Sequence, residues 1–305
     1  MNTGSWIYQP RHKLWLFTFC LFISTPVNAG VNICSVDFNK ITSRFVYSKS
    51  GKESFVNAQG AISQQVVGLD LIGPLPSTDQ RQSYFGAGHR YTIFDIDGVA
   101  TQTNGHVHTF YLPYFHAQQT ERGIMRFAVA PALSASSNII KTRNNWRSET
   151  LQLLGGFRFE NSNGWYVGGC ADYRFGEFEI YPVFGLRFAT MDRWQLEIGF
   201  PDSAARYRLH DEFNLQITIG PDGNQWEVAD EAFSQRSRFG YQSFLLAFSL
   251  DWKPLKRLSV SFGVARHFEQ ELNLLLINGQ RVTLDAEDTN ELSASLHWVF
   301  GRIRD

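Results

Sequence analysis

Residues 192–201 read DRWQLEIGFP, and Trp194, Leu196, Ile198 and Phe200 alternate with Arg193, Gln195, Glu197 and Gly199. Successive strand side chains point to opposite faces, so one face is apolar and the other charged. Many segments repeat the pattern. Leu151, Leu153, Phe157 and Phe159 share a face. Trp165 and Val167 oppose Tyr166, Cys170 and Asp172. Phe244, Leu246, Phe248 and Leu250 oppose Ser243, Ala247 and Ser249, and Leu292, Leu296, Trp298 and Phe300 oppose Ser293, Ser295 and His297. Turn formers separate them: Asn161–Gly164, Pro201–Ser203, Pro221–Gly223, Lys253-Pro254 and Asn278-Gly279, the last a strong hairpin signal. A long helical stripe is absent. The sequence reads as an all-β, antiparallel chain.

The first residues have a different character. Arg11 and Lys13 precede the apolar run Leu14–Ile23, and Val27-Asn28-Ala29 follows Ser24, Thr25 and Pro26. Basic flank, short apolar core and small exit residue describe a cleaved secretory signal peptide over residues 1–29. After it, no apolar run is long enough for a spanning helix. A membrane location therefore requires a closed barrel, in which every backbone group pairs with a neighbour. Arg11 and Lys13 lie in the leader, so the rest of the 28 Lys and Arg face 29 acids, a net charge of about −3. There is no basic run, which argues against nucleic acid as a partner.

A soluble sandwich also alternates, with its oily face inside. Three features favour the membrane. The polar faces are rich in Gly, Ala and Ser interleaved with charge, as a curved barrel interior requires. Trp165, Trp194, Trp252 and Trp298 fall near strand ends, where amphipathic rings meet a membrane interface. The last strand ends in Leu296, Trp298 and Phe300, the aromatic finish that barrel-assembly machinery reads, although Gly301–Asp305 follow it. The expectation is a transmembrane β-barrel over residues 61–305 with about 12 strands and a range of 10–14. Residues 30–60 are polar and read as an N-terminal extension or plug, with one short strand around Arg44–Tyr47.

The stretch EFEIYPVFGLRFATMDRWQLEIGFPDSAARYRLHDEF resembles an uncharacterised family of Gram-negative outer-membrane β-barrels. The likeness lies in Tyr181-Pro182, Gly185-Leu186, Trp194, Leu196, Pro201 and Tyr207-Arg208-Leu209. The resemblance implies a barrel in the outer membrane with lipid around it. It implies no reaction.

Motifs for chemistry are sparse. His106 and His108 share a strand face that could offer two metal ligands. His116 lies about 33 Å from His106 along an extended strand, too far to add a third. Asp95-Ile96-Asp97-Gly98 resembles the start of a calcium loop, but the glycine comes too early and His106 stands where the closing Glu belongs. Gly86-Ala87-Gly88 lacks the third glycine of a phosphate loop. Ser295 and His297 share an inward face and read as lining. No Ser-His-acid set of neighbours offers an outward catalytic site, so no enzyme activity, cofactor or metal is expected.

The most informative set is a row of charge on the polar parity: Asp172, Arg174, Arg187, Arg193, Gln195, Glu197, Arg206, Arg208, Gln216, Asp251 and Arg266. Charge is costly against lipid at mid-depth, so the row is expected to line a lumen. Arg–acid pairs could fill that lumen, or an Arg-rich lining could leave a water path for small polar solutes. The balance favours a largely filled lumen, with residues 30–60 as a plug held by a Cys34–Cys170 disulfide. Two free thiols are the alternative. The functional expectation is a narrow pore or transporter, against a structural or surface-interaction barrel with no transport.

Overall fold

The computed structural model describes residues 33–34, 43–78, 80–97, 105–141, 150–190, 193–229, 236–275 and 279–299. The leader assignment lies outside them. In chain order the strands are β1 (Ser43–Ser50), β2 (Glu53–Ser54), β3 (Ala61–Pro74), β4 (Arg81–Asp97), β5 (Gly105–Tyr111), β6 (Tyr114–Thr120) and β7 (Gly123–Ser136). A short helix, α1 (Ser137–Lys141), follows. Then come β8 (Leu151–Asn161), β9 (Trp165–Asp172), β10 (Glu179–Thr190), β11 (Trp194–Phe200), β12 (Ser203–His210) and β13 (Phe213–Ala229). The last are β14 (Arg236–Leu255), β15 (Leu258–Leu275), β16 (Arg281–Ala286) and β17 (Thr289–Trp298).

Most strands pair antiparallel with the next, and β1 pairs with both β3 and β17, from Ser43↔Trp298 to Ser50↔Glu291 on the latter side. That pairing closes the sheet. Three wall positions are each shared by two short strands: β1 with β2 against β3, β5 with β6 between β4 and β7, and β16 with β17 against β15. The 17 strands therefore form a closed ring of 14. The number is even and sits at the top of the expected range. The wall begins at Ser43, inside the stretch assigned to an extension, which corrects the boundary at residue 61. In β1 the outward residues are Phe45, Tyr47 and Lys49, while Val46, Ser48 and Ser50 turn inward. The strand expected around Arg44–Tyr47 is β1, but its small inward serines let it read as part of an extension and not of the wall.

The outer face is apolar over a continuous belt. Ile180 is 78% exposed, and Leu151, Leu153, Phe184, Ile198, Ile217 and Phe248 are also exposed on it. Trp194, Ile198 and Phe200 point outward, and Glu197 points inward. In water this belt would be a large apolar patch; in a bilayer it is solvated by acyl chains. Among the described residues no helix is long and apolar enough to cross a membrane. The turns at Glu121-Arg122, Ser162–Gly164, Asp211-Glu212 and Lys256-Arg257 lie at one end, the same end as Ser43 and Trp298. The connections that follow β4, α1 and β13 leave from the other end, as the longer loops of outer-membrane barrels share one end.

The wall is uneven. β9, β11 and β12 have 8, 7 and 8 residues, whereas β13, β14 and β15 have 17, 20 and 18. Above the short strands, β13 leans across and meets β7 at a parallel bridge, Glu227↔Ala135. Gln152 Nε2 donates to Gln225 O at 2.7 Å, and Trp226 Nε1 donates to Thr109 Oγ1 at 2.9 Å. The long-loop end is thus narrower than the ring below it. Its interior is a dry cluster built on Phe94, Trp226, Phe239, Tyr241, Leu272 and Leu274. Phe94 meets Phe239 edge-on at 4.9 Å between centroids, a favoured aromatic geometry.

Ile217, central in the apolar belt, gives the first prediction. Ile217→Arg lowers unfolding free energy in lipid vesicles by about 2–4 kcal/mol, the cost of a charge on the lipid face. Urea titration of the vesicle-embedded protein measures it.

Candidate functional site: the barrel lumen

Three layers of polar side chains line the interior below the aromatic cluster. The lowest lies toward the short-turn end and is held by β7, β8, β10 and β11. Arg187 Nη1 reaches Glu160 at 2.7 Å and its Nη2 reaches Glu197 at 2.7 Å. Arg158 bridges the same acids at 3.3 and 3.0 Å, and Arg126 Nη2 adds a 3.1 Å contact to Glu160. The Arg158 guanidinium lies 4.1 Å over the Tyr166 ring. Three arginines thus share two carboxylates. Arg126 and Arg158 are buried; Arg187 and Glu197 keep about a quarter of their side-chain surface.

The middle layer centres on Asp70, whose two oxygens accept a bidentate pair from Arg90 at 2.9 and 2.8 Å. Arg44 Nε donates to the same carboxylate at 3.0 Å, and the Tyr111 hydroxyl also donates to it. Fork-to-fork geometry of this kind is the strong form of the ion pair. On the facing wall Arg174 joins Asp172 at 3.2 Å and Asp202 at 2.7 Å, and the Tyr181 hydroxyl donates to Asp172 at 2.8 Å. The upper layer places His267 Nε2 3.5 Å from Glu291, which accepts from Ser48 Oγ at 3.1 Å.

Between these layers sit Ile33 and Cys34. Ile33 is buried among Tyr111, Phe115, Ala128, Ala130 and Leu154, all inward residues. Cys34 is bonded to Cys170, with Cα atoms 6.0 Å apart. A Cβ at Gly156 would lie 2.7 Å from Cys34 Sγ, so the glycine makes room for Cys34.

The charge row is distributed as follows. Asp172, Arg174, Arg187 and Glu197 come together in the networks above. Arg206 binds Gln216 at 3.1 and 2.8 Å and Gln195 at 3.2 Å, forming a separate inward group. Asp251 keeps the inward parity opposite Ser261. Arg208 is exposed near the short-turn end of β12. Arg193 lies in the turn before β11 and is exposed, so it belongs to the mouth and not to the wall. Arg266 is a correction. It shares the outward parity of Val264, pairs with Asp288 at 3.1 Å and covers the Phe268 ring at 5.6 Å. It is tolerated there because both partners stay solvated, 48% and 40% exposed. A bulge follows: pairing shifts from Phe244↔Phe268 to Gln242↔Glu271, with Glu269 at a φ of 50°. Beyond it Gln270 and Leu272 turn inward.

Sequence reasoning missed Asp70, Arg90, Arg126, Arg158 and Glu160, although each has the inward parity of its strand. It also missed an outward group. His106 and His108 do share a face, and that face is the outer one. Tyr91 bonds His106 Nδ1, and His108 stands 3.0 Å from His89 and 2.9 Å from Ser137. His116 is distant from them and bonds Ser83 Oγ at 2.9 Å. Ser295 bonds His297 at 2.7 Å within the inner lining. Asp97, from the calcium-like stretch, pairs with Lys52.

A closed antiparallel ring with an apolar exterior and a charged interior defines a transmembrane-type β-barrel. A family model described as a domain of unknown function (DUF6268) matches residues 157–273, which span β8 to β15 and most of the charged interior. The fold is similar to that of the COG4313 outer membrane channel from Pseudomonas putida F1, with a TM-score of 0.51 and 11% identity over 89% of this chain and 100% of that one. A TodX monoaromatic hydrocarbon channel mutant aligns with a TM-score of 0.47 and 11% identity, over 92% and 96% of the two chains. No curated protein matched the sequence.

The shared carboxylates make a sharp prediction. Glu160→Ala removes one of the two carboxylates that three guanidinium groups share in the lower layer, leaving Glu197 to hold Arg158 and Arg187, and destabilises the barrel by about 3–5 kcal/mol. Glu160→Gln, which keeps hydrogen-bond acceptance, costs less. Paired urea titrations measure both.

Proposed function

We propose that this protein is an outer-membrane channel of restricted bore for small polar solutes, exported by its leader and surrounded by lipid. The observation that carries the reading is the interior of the ring. Eight strands make a barrel that side chains alone can fill, and 16–18 leave an aqueous channel. Fourteen strands leave more room than the wall side chains need, and here Ile33 and Cys34 occupy part of it, held by the Cys34–Cys170 disulfide. Below these two residues, Arg187, Glu197, Arg206 and Gln216 stay partly solvated from the short-turn end. An arginine-rich lining favours anions. The similarity in fold to an outer membrane channel agrees with this reading.

A second reading is favoured by the apolar cluster packed at the long-loop end. In it the barrel is a structural or surface-interaction element of the envelope and passes nothing. The last strand, β17, is the element that assembly machinery would engage.

Planar-bilayer recording separates the two. The channel reading predicts small conductance steps for the wild type and larger ones for the double variant Cys34→Ser, Cys170→Ser. It also predicts that Arg206→Glu moves the preference from anions toward cations. Silence from all three proteins, each folded by heat-modifiable gel mobility, would sink the channel and leave the structural barrel.

A further inference from the structure

The outward His group has a geometry that permeation does not use. Ser137 Oγ lies 2.9 Å from His108 Nε2, and His108 Nδ1 lies 3.0 Å from His89 Nε2. One assignment of tautomers satisfies the chain of bonds. Ser137 donates its hydroxyl proton toward His108 Nε2, and His108 carries its own proton on Nδ1 and donates it to His89. That is a nucleophile, a general base and an orienting acceptor in series, the logic of an acyl-transfer triad. The imidazoles are locked by stacking. His89 lies on Phe110 with centroids 4.2 Å apart, and His108 lies on Tyr91 at 4.6 Å. All three functional residues are partly exposed.

Position selects the substrate. β7 carries Leu133, opposite Leu151, at the top of the apolar belt, and Ser137 follows four residues later. Phe110, two residues below His108 on the same face, is 42% exposed and belongs to the belt. The serine therefore stands where acyl chains end and polar headgroups begin, on the long-loop side of the wall. Ester carbonyls of membrane lipids lie at that level.

The geometry points to Ser137, His108 and His89 as an esterase site on the outer wall, acting on acyl esters of lipids in the surrounding leaflet. Ser137 Oγ attacks the ester carbonyl carbon while its proton passes to His108 Nε2. The bond from that carbon to the alcohol oxygen breaks, and the alcohol leaves with the proton from His108. Water then adds to the Ser137 acyl ester, giving its proton to His108. The free acid departs and Ser137 recovers its hydrogen. His89 is a positioning residue, holding the His108 ring and its tautomer.

The site depends on the barrel's place in a membrane, not on conductance, so a silent bilayer leaves it standing. The test uses the folded full-length protein in phosphatidylcholine vesicles. A fluorophosphonate probe should label Ser137, with the adduct located by peptide mass, and a fluorogenic acyl-ester phospholipid should be hydrolysed. Ser137→Ala should abolish both, and His108→Ala should reduce hydrolysis by about 10²–10⁴-fold, the usual worth of a general base. His89→Ala should reduce it less and alter its pH profile, and His89→Gln, which can accept the same hydrogen bond, should restore it. No labelling of folded wild type, labelling at another serine, or hydrolysis unchanged in Ser137→Ala would overturn the assignment.

Discussion

The structure rests on the seam between β1 and β17. In a hydrocarbon environment an unpaired N–H or C=O costs several kcal/mol, and an open sheet would expose two rows of them. Eight consecutive residue pairs, Ser43↔Trp298 to Ser50↔Glu291, remove both edges at once. Once the ring is closed, the period-2 alternation has a fixed meaning. Outward positions must satisfy lipid and inward positions must satisfy one another.

Inward positions meet that demand with charge. Burying an arginine is costly unless its partners are close and well aligned, which explains why the lumen contains shared networks and not isolated pairs. Asp70 serves two arginines, and Glu160 and Glu197 serve three between them. The unequal strand lengths then shape the interior. Short β9, β11 and β12 let β13 reach β7, and this contraction brings Phe94 and Trp226 within 5.5 Å of each other. Polar layers below and a dry cluster above follow from one variation in wall height.

Much of this was legible in the residues. The faces of β8, β9, β11, β14 and β17 follow from alternation, because each carries large apolar side chains outward. β1 was harder to place: its inward serines mimic loop composition, and its pairing with β3 and with the distant β17 reveals it as wall. Arg266 misled for the opposite reason. It lies on the outward parity, but at a level where charge can pair in solvent. The Ser137–His108–His89 chain was invisible for a third reason. Its members are separated by 29 and 19 residues, and only the register of β4, β5 and β7 brings them together. Local pattern carries the direction of a side chain, whereas its partner depends on register across the sheet.

The central claim is that the apolar face of the ring meets lipid while the alternate face does not. Nitroxide labels placed singly at Leu215, Gln216, Ile217, Thr218 and Ile219 in vesicle-embedded protein test it, read by collisional relaxation with oxygen and with a polar nickel chelate. The account predicts high oxygen accessibility at 215, 217 and 219 and low values at 216 and 218, in strict alternation. Equal accessibility along the segment, or chelate contact at 217, would contradict it.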